Sequence, residues 1–71
     1  PMTARDALAD AESRVHALEA ELAQLEEDLH AATGGQDVAA IEQLGQRYVD
    51  TQSALDKAME NWMALADGQA A

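Results

Sequence analysis

The chain lacks cysteine and phenylalanine altogether, and it contains only one tyrosine and one tryptophan. Without cysteine, disulfide scaffolds, cysteine-based zinc sites and thiol nucleophiles are excluded, and we expect a cytoplasmic protein because the composition suits a reducing compartment. So few aromatic residues exclude a globular core with several aromatic anchors. No apolar run is long enough to span a bilayer and no signal peptide opens the sequence, so we expect no membrane partner.

Positive charge is also scarce, because four Lys or Arg residues stand against fourteen Asp or Glu residues, for a formal net charge of −10. Such a surface repels nucleic acid, anionic membranes and acidic partners. The candidates for contact with a nucleic acid or another partner are the scattered cations Arg5, Arg14, Arg47 and Lys57. Because they are few and lie among many acids, we expect direct DNA binding to be weak.

What the sequence does contain is a heptad pattern in two halves. Thr3 and Asp6 have the spacing of a capping box, and no Gly or Pro follows until Gly34. Apolar residues recur in alternating steps of three and four, which predicts a helix over residues 4–32 with one apolar seam. The same steps recur later in the chain and predict a second helix over residues 38–67.

The breaker cluster in the middle of the chain predicts a loop over residues 33–37. Gly34 and Gly35 are expected to supply the positive φ that reverses the chain, and Asp37 is the expected N-cap of the second helix. Gly68 is expected to end that helix, and the predicted tail over residues 69–71 is disordered. Residues 1–2 read as a protease-scar proline and a start methionine, so the single hairpin domain covers residues 3–68 of what we take to be a piece of a longer protein.

A short loop between two long amphipathic helices makes them antiparallel neighbours. The predicted fold is therefore all-α, an antiparallel two-helix coiled-coil hairpin. Folding about the loop pairs Leu18 with Leu55 and sets the large Trp62 against the small Ala11, as interdigitated packing requires. The predicted coiled-coil core consists of Leu8, Val15, Leu18, Leu22, Leu25, Leu29, Ile41, Leu44, Tyr48, Leu55, Trp62 and Leu65.

Charged side chains flank the predicted seam. The first helix carries Glu21 and Asp28 on one side of it, and the second helix offers Arg47, which we expect near Asp28 or engaged by Asp50. With so few cations, salt bridges contribute little to the hairpin. The apolar seam must hold the two helices together.

Two pairs of side chains have spacings that occur in metal sites. Glu27 and His30 form an E-x-x-H sequence, but ferritin-like metal sites need two such motifs and two further carboxylates in a bundle core. Glu12 and His16 are four residues apart, and like the first pair they fall outside the seam, so we interpret both pairs as solvated. Since a two-helix hairpin offers no cleft to shift a catalytic pKa, we expect no catalytic, metal-binding or cofactor-binding residue and no enzyme.

Apolar residues also lie beside the seam of the second helix, at heptad positions e and b. They are Val38, Val49, Met59 and Met63, accompanied by Gly45 and Ala66. One interpretation is a protein-contact stripe, because Met adapts well to binding surfaces. The other is that the seam is simply wide, because singly exposed apolar residues are normal.

The stretch Ser53 to Leu65 resembles the end of the C-terminal coiled-coil domain of Uup-type ABC-F ATPases. That ending has an aromatic or apolar residue, Glu, a polar residue, Trp, and a Leu three residues further on, and Met59, Glu60, Trp62 and Leu65 fill these places. The resemblance covers the whole chain in architecture and about thirteen residues in motif.

The resemblance implies a non-catalytic accessory tail behind two ATP-binding cassettes, which would bind ATP and Mg in the parent protein. It also implies action on nucleic acid or the ribosome, with the parent ATPase domains as partners in cis and DNA or ribosomal RNA as further partners. The alternative is a structural or dimerising hairpin that mediates protein–protein contacts in an unrelated protein. The sequence leaves the partner and the oligomeric state open.

Overall fold

The computed structural model describes the backbone of residues 3–70 and the side chains of residues 3–68. Helix α1 runs over Ala4–Gly34 and helix α2 over Val38–Ala70, and the two pack side by side along their length. No strand occurs in this described part of the chain. The fold is an all-α antiparallel hairpin that measures 51 × 19 × 15 Å along its principal axes. The predicted remnant at residues 1–2 lies outside the described residues.

The first helix begins at the predicted capping box, which is confirmed. The Thr3 hydroxyl accepts a hydrogen bond from the Asp6 backbone N–H at 3.1 Å, and the Asp6 carboxylate accepts one from the Thr3 backbone N–H at 3.2 Å. Two backbone donors that the first turn would leave free are satisfied in this way. The Asp6 carboxylate also lies at the positive end of the helix dipole.

The turn differs from the prediction in where its strained residue lies. Gly35 caps α1 with right-handed angles, φ −84° and ψ −4°, and the left-handed residue is Gln36, with φ 56°. The Gln36 N–H donates to the Thr33 carbonyl and the Asp37 N–H to the Ala32 carbonyl. This is a Schellman motif whose left-handed position, usually glycine, holds glutamine. The expectation that Gly34 and Gly35 supply the positive φ was wrong.

The second helix starts at Val38, where its predicted N-cap satisfies the first turn. The Asp37 carboxylate accepts from the Ala40 N–H at 3.1 Å, as a helix N-cap does. The far end differs from the prediction, because α2 continues through Gly68 to Ala70 instead of stopping. A glycine ends a helix when it turns left-handed, and no described glycine has a positive φ. Position 71 of the predicted tail lies outside the described residues.

The seam is deepest at mid-hairpin. On α1, Val15 is 1% exposed and belongs to a cluster with Leu18, Leu22 and Leu55. Thr51 of α2 is also buried. Full burial of an aliphatic side chain stabilises by roughly 1.5–3 kcal/mol relative to exposure. These few buried residues therefore contribute most of the free energy that pairs the helices.

Toward its two ends the seam becomes shallower. Ala11 and Leu25 are buried, whereas the remaining predicted core residues keep part of their surface in solvent. In a pair of helices many seam residues keep one side in solvent unless a third element packs there, and the described chain has none. The half-buried positions are Leu8, Leu29, Ile41, Leu44, Tyr48, Trp62 and Leu65.

Candidate interaction surfaces

Within residues 3–68 one ion pair crosses between the helices, and it is not the predicted one. The Arg47 guanidinium lies 3.4 Å from the Glu21 carboxylate, with both side chains substantially exposed. The expected partners are engaged elsewhere, because Asp28 accepts a hydrogen bond from Gln24 at 3.0 Å and Asp50 accepts one from Gln46 at 3.0 Å. An exposed pair of this kind contributes about 0–1 kcal/mol to folding stability, so the apolar seam is the main interaction between the helices.

A second polar contact joins the helices at the edge of the seam. The Tyr48 hydroxyl donates to the Glu26 carboxylate at 3.1 Å. This hydrogen bond, and next the negative charge of Glu26, raise the pKa of Tyr48 above its ordinary value of 10.0. The sequence offered a usable signal for it, because Tyr at a seam position needs a polar partner for its hydroxyl, and Glu26 flanks the seam opposite.

His16 is exposed, and it also lies near an aromatic side chain of the other helix. Its Nε2 lies 3.5 Å from the Glu12 carboxylate and its Nδ1 lies 3.7 Å from that of Glu19, both on the same helix. Its ring centroid is 6.4 Å from that of Trp62 on the other helix, with the planes tilted by 54°. His16 therefore covers one side of the half-buried indole, which the seam pattern alone did not reveal.

The four predicted contact cations are all exposed, but the structure does not gather them. Arg47 is occupied by Glu21. Arg5 and Arg14 are nine residues apart on α1, which is about 13 Å along a helix, and Lys57 lies on α2. None of these three makes an ion pair within residues 3–68. They do not form one basic face.

The predicted protein-contact stripe on α2 is exposed along most of its length. Val38 is 66% exposed, Val49 61% and Met63 65%, whereas Met59 is 38% exposed beside the seam. Gly45 is half-buried and Ala66 is exposed. No other large apolar side chains of the described residues are so open to solvent. We name the set Val38, Val49, Met59, Met63 and Ala66 the α2 stripe.

Of the two pairs weighed as metal ligands, Glu27 and His30 lie on the outer face of α1, whereas Glu12 and His16 lie beside the seam. Glu27 and His30 are exposed, as are Glu12 and His16. Across the described residues no group of three His, Cys, Asp or Glu side chains converges as ligands of a metal ion would, and residues 3–70 form no pocket. The candidate sites of the described chain are therefore exposed surfaces, which offer apolar contact and negative charge.

The sequence of this hairpin matches the model of a known protein family. The model of the ABC transporter C-terminal domain matches residues 3–67, which covers α1, the turn, all of the seam and α2 except its last three residues. This chain belongs to the ABC transporter C-terminal domain family. No curated protein and no solved structure matches it.

The part of the chain that matches the ABC transporter C-terminal domain includes every surface described above. The seam, the Tyr48–Glu26 contact, the His16–Trp62 contact and the α2 stripe all lie within residues 3–67. Family membership is consistent with an accessory domain. Within residues 3–70 of this ABC transporter C-terminal domain, neither helix is long and apolar enough to cross a membrane.

Proposed function

We propose that the chain is the non-catalytic C-terminal accessory domain of a cytoplasmic Uup-type ABC-F ATPase, and that it serves its parent by binding. The observation that carries this proposal is the stretch Ser53 to Leu65, which lies inside the family match and resembles the Uup-type ending. ATP and Mg would be bound by the cassettes of the parent protein. The first partners of the hairpin would be those ATPase domains in cis.

The geometry of the Ser53–Leu65 stretch supports a role in recognition. Trp62 and Leu65 are half-buried in the seam, whereas Met59 and Glu60 are exposed. The stretch therefore has one set of residues that fixes the pairing of the helices and another that meets solvent. A binding module needs both, because contact residues must be held on a rigid element.

The charge of the hairpin favours an indirect role in any action on nucleic acid or the ribosome. A phosphate backbone attracts a protein surface through the cations that release its counterions, and this chain has four cations within a net charge of −10. One of them, Arg47, is already paired with Glu21. We propose that the parent ATPase domains supply most contacts with DNA or ribosomal RNA.

The gene sequence upstream of this chain tests whether the hairpin belongs to a Uup-type ABC-F ATPase. Sequencing the gene upstream of codon 1 should show two ATP-binding cassettes with Walker motifs, GxxxxGK[ST], in the same frame. A complete parent with no such motifs would overturn it. As a second test, deletion of the hairpin should leave ATP hydrolysis by the parent cassettes intact, because the hairpin contributes no catalytic group in this proposal. Loss of ATP hydrolysis from correctly folded cassettes would contradict the accessory role.

One observation favours a second candidate function, a structural or dimerising hairpin. The α2 stripe leaves Val38, Val49 and Met63 largely exposed, and exposed apolar rows often mark contacts between proteins. Sedimentation equilibrium over a wide concentration range would reveal self-association. The negative charge that two copies would bring together opposes it.

A further inference from the structure

Four of the five exposed acids of α2 lie along one side of the α2 stripe, and the fifth, Asp50, lies at position c. The stripe occupies heptad positions e and b, and carboxylates occupy b and the neighbouring position f on the same side of the helix. These acids are Glu42, Asp56, Glu60 and Asp67, and all are exposed. Apolar contact area and negative charge are therefore combined on one face of α2.

These acids have no cationic partner in the described structure. The ion pairs within residues 3–68 involve Arg47 with Glu21, and His16 with two glutamates of α1. Asp56 accepts a hydrogen bond from the neutral Gln52 at 3.4 Å. Lys57 and Arg47, the cations of α2, lie at positions c and g, away from the e and b face. Within residues 3–68, therefore, no ion pair neutralises the acids beside the α2 stripe.

We propose that the α2 stripe and its acidic edge form the docking surface for a cationic amphipathic helix of another protein segment. An amphipathic helix places apolar anchors in register with such a stripe, and its Lys or Arg residues would flank those anchors. Charge complementarity selects this occupant, because every charged side chain on this exposed edge is a carboxylate. This inference rests on the proposed binding role of the hairpin and names the class of its partner.

The stripe also specifies the layout of that partner. Gln52 and Asp56 interrupt it between Val49 and Met59, so it consists of an apolar patch near the turn and another near the free ends. Val49 and Met63 are fourteen residues apart, about 21 Å along a helix. A matching helix therefore carries two apolar clusters with a cation between them that faces Asp56.

The same arguments disfavour the other occupants. A second copy would set the acidic edge of one chain against a chain of the same net charge, −10. Nucleic acid would bring phosphates to an edge whose nearest cations lie on other faces. Each of these occupants has a distinct outcome in the test below.

Isothermal titration of the full 71-residue chain with synthetic peptides tests the proposal. The probe is a Leu/Lys amphipathic peptide of about 18 residues, roughly 27 Å as a helix. Its control is a scrambled peptide of the same composition, which keeps the charge and loses the apolar face. We expect the amphipathic peptide to bind at least about tenfold more tightly, since only it buries the stripe. Equal binding of both peptides would overturn the proposal, because charge alone would then explain it.

Matched variants locate the binding. The double substitution Val49→Gln and Met63→Gln leaves the charge unchanged and should weaken the amphipathic peptide about tenfold or more. Ala20→Gln on the exposed face of α1 should leave binding unchanged. Wild-type affinity in the double variant, with unchanged helicity by circular dichroism, would overturn the proposal. Sedimentation that showed a dimer broken by the double variant, or competition of duplex DNA for the stripe, would likewise overturn it.

These results are separable from the test of the proposed function. The parent reading frame decides whether the hairpin follows ATP-binding cassettes, whatever peptide it binds. Walker motifs upstream together with no selective peptide binding would leave the accessory role standing and remove the docking inference. Selective binding without such motifs would do the reverse.

Discussion

The imidazole of His16 on α1 and the indole of Trp62 on α2 lie 6.4 Å apart between ring centroids. Together with the Tyr48–Glu26 hydrogen bond, this contact fixes which parts of the two helices face each other. It places Trp62 in the half of the hairpin that is remote from the turn, close to Val15, with which it shares the core cluster. Ala11, the predicted neighbour of Trp62, is buried one turn before Val15, toward the N-terminus of α1.

A charge at Ala11 should therefore disturb Trp62. Ala11→Glu would bring an unpaired carboxylate to a buried position, and we expect a loss of at least about 1 kcal/mol, or roughly 4–8 °C in melting temperature. The Trp62 emission maximum should shift to the red. Ala17→Glu, on the exposed side of α1, is the matched control. Similar melting curves for both variants would show that Ala11 and Trp62 do not pack in the same layer.

Mid-seam cavities should cost more than cavities at the free ends. Leu18→Ala and Leu55→Ala each remove a buried side chain from the central cluster and should destabilise by about 2–5 kcal/mol. Leu8→Ala, at a half-buried position, should cost clearly less because solvent already reaches it. Urea unfolding followed by circular dichroism measures the difference. Equal losses at all three positions would contradict a seam centred on Leu18 and Leu55.

The turn should respond to substitution in the opposite way from what its sequence suggests. Gln36 has φ 56°, so Gln36→Gly relieves a left-handed conformation and should stabilise the hairpin by about 1 kcal/mol. Gly35→Ala should be tolerated or slightly stabilising, since Gly35 is right-handed and an added Cβ would meet the Ala31 carbonyl at 3.5 Å, an ordinary contact. Thermal unfolding of the two variants tests this. Strong destabilisation by Gly35→Ala would show that the glycine carries the positive φ.

The Tyr48–Glu26 contact makes stability depend on pH in the alkaline range. The raised pKa of Tyr48 means that the folded state holds the phenol proton more tightly than the unfolded state does. Its contribution is therefore present below the ordinary value of 10.0 and is lost as pH rises through the higher folded value. Above pH 10.0, therefore, Tyr48→Phe should lose less stability than the wild type as pH rises, as measured by urea titrations. Parallel losses in both proteins would exclude the contact.

The sequence predicted the two helices and their seam because a heptad pattern of Leu, Val and Ala leaves few alternatives for packing. It placed the strain of the turn on the wrong residue, since Gly34 and Gly35 both satisfy the composition of a Schellman motif, and only the backbone hydrogen bonds of Gln36 and Asp37 decide the register of the turn. The predicted end of the second helix at Gly68 was too early. Glycine disfavours helix on average, but a single glycine can remain helical.

The polar contacts were harder to predict than the seam. Arg47 contacts Glu21, whereas Asp28 accepts a hydrogen bond from Gln24, and heptad positions do not encode such choices among exposed side chains. The half-buried Trp62 keeps part of its indole outside the seam, where it lies near His16. The α2 stripe was visible in the sequence as an alternative, and its exposure became measurable only once the helices were packed.

We propose that this member of the ABC transporter C-terminal domain family acts through protein contacts and binds DNA weakly by itself. Fluorescence anisotropy of a labelled DNA duplex, titrated with the chain at two salt concentrations, tests it most directly. We predict a dissociation constant weaker than about 10⁻⁴ M at physiological salt, with residual binding that depends on Arg5, Arg14 and Lys57 and disappears as salt is added. Micromolar binding with little dependence on salt would contradict the claim.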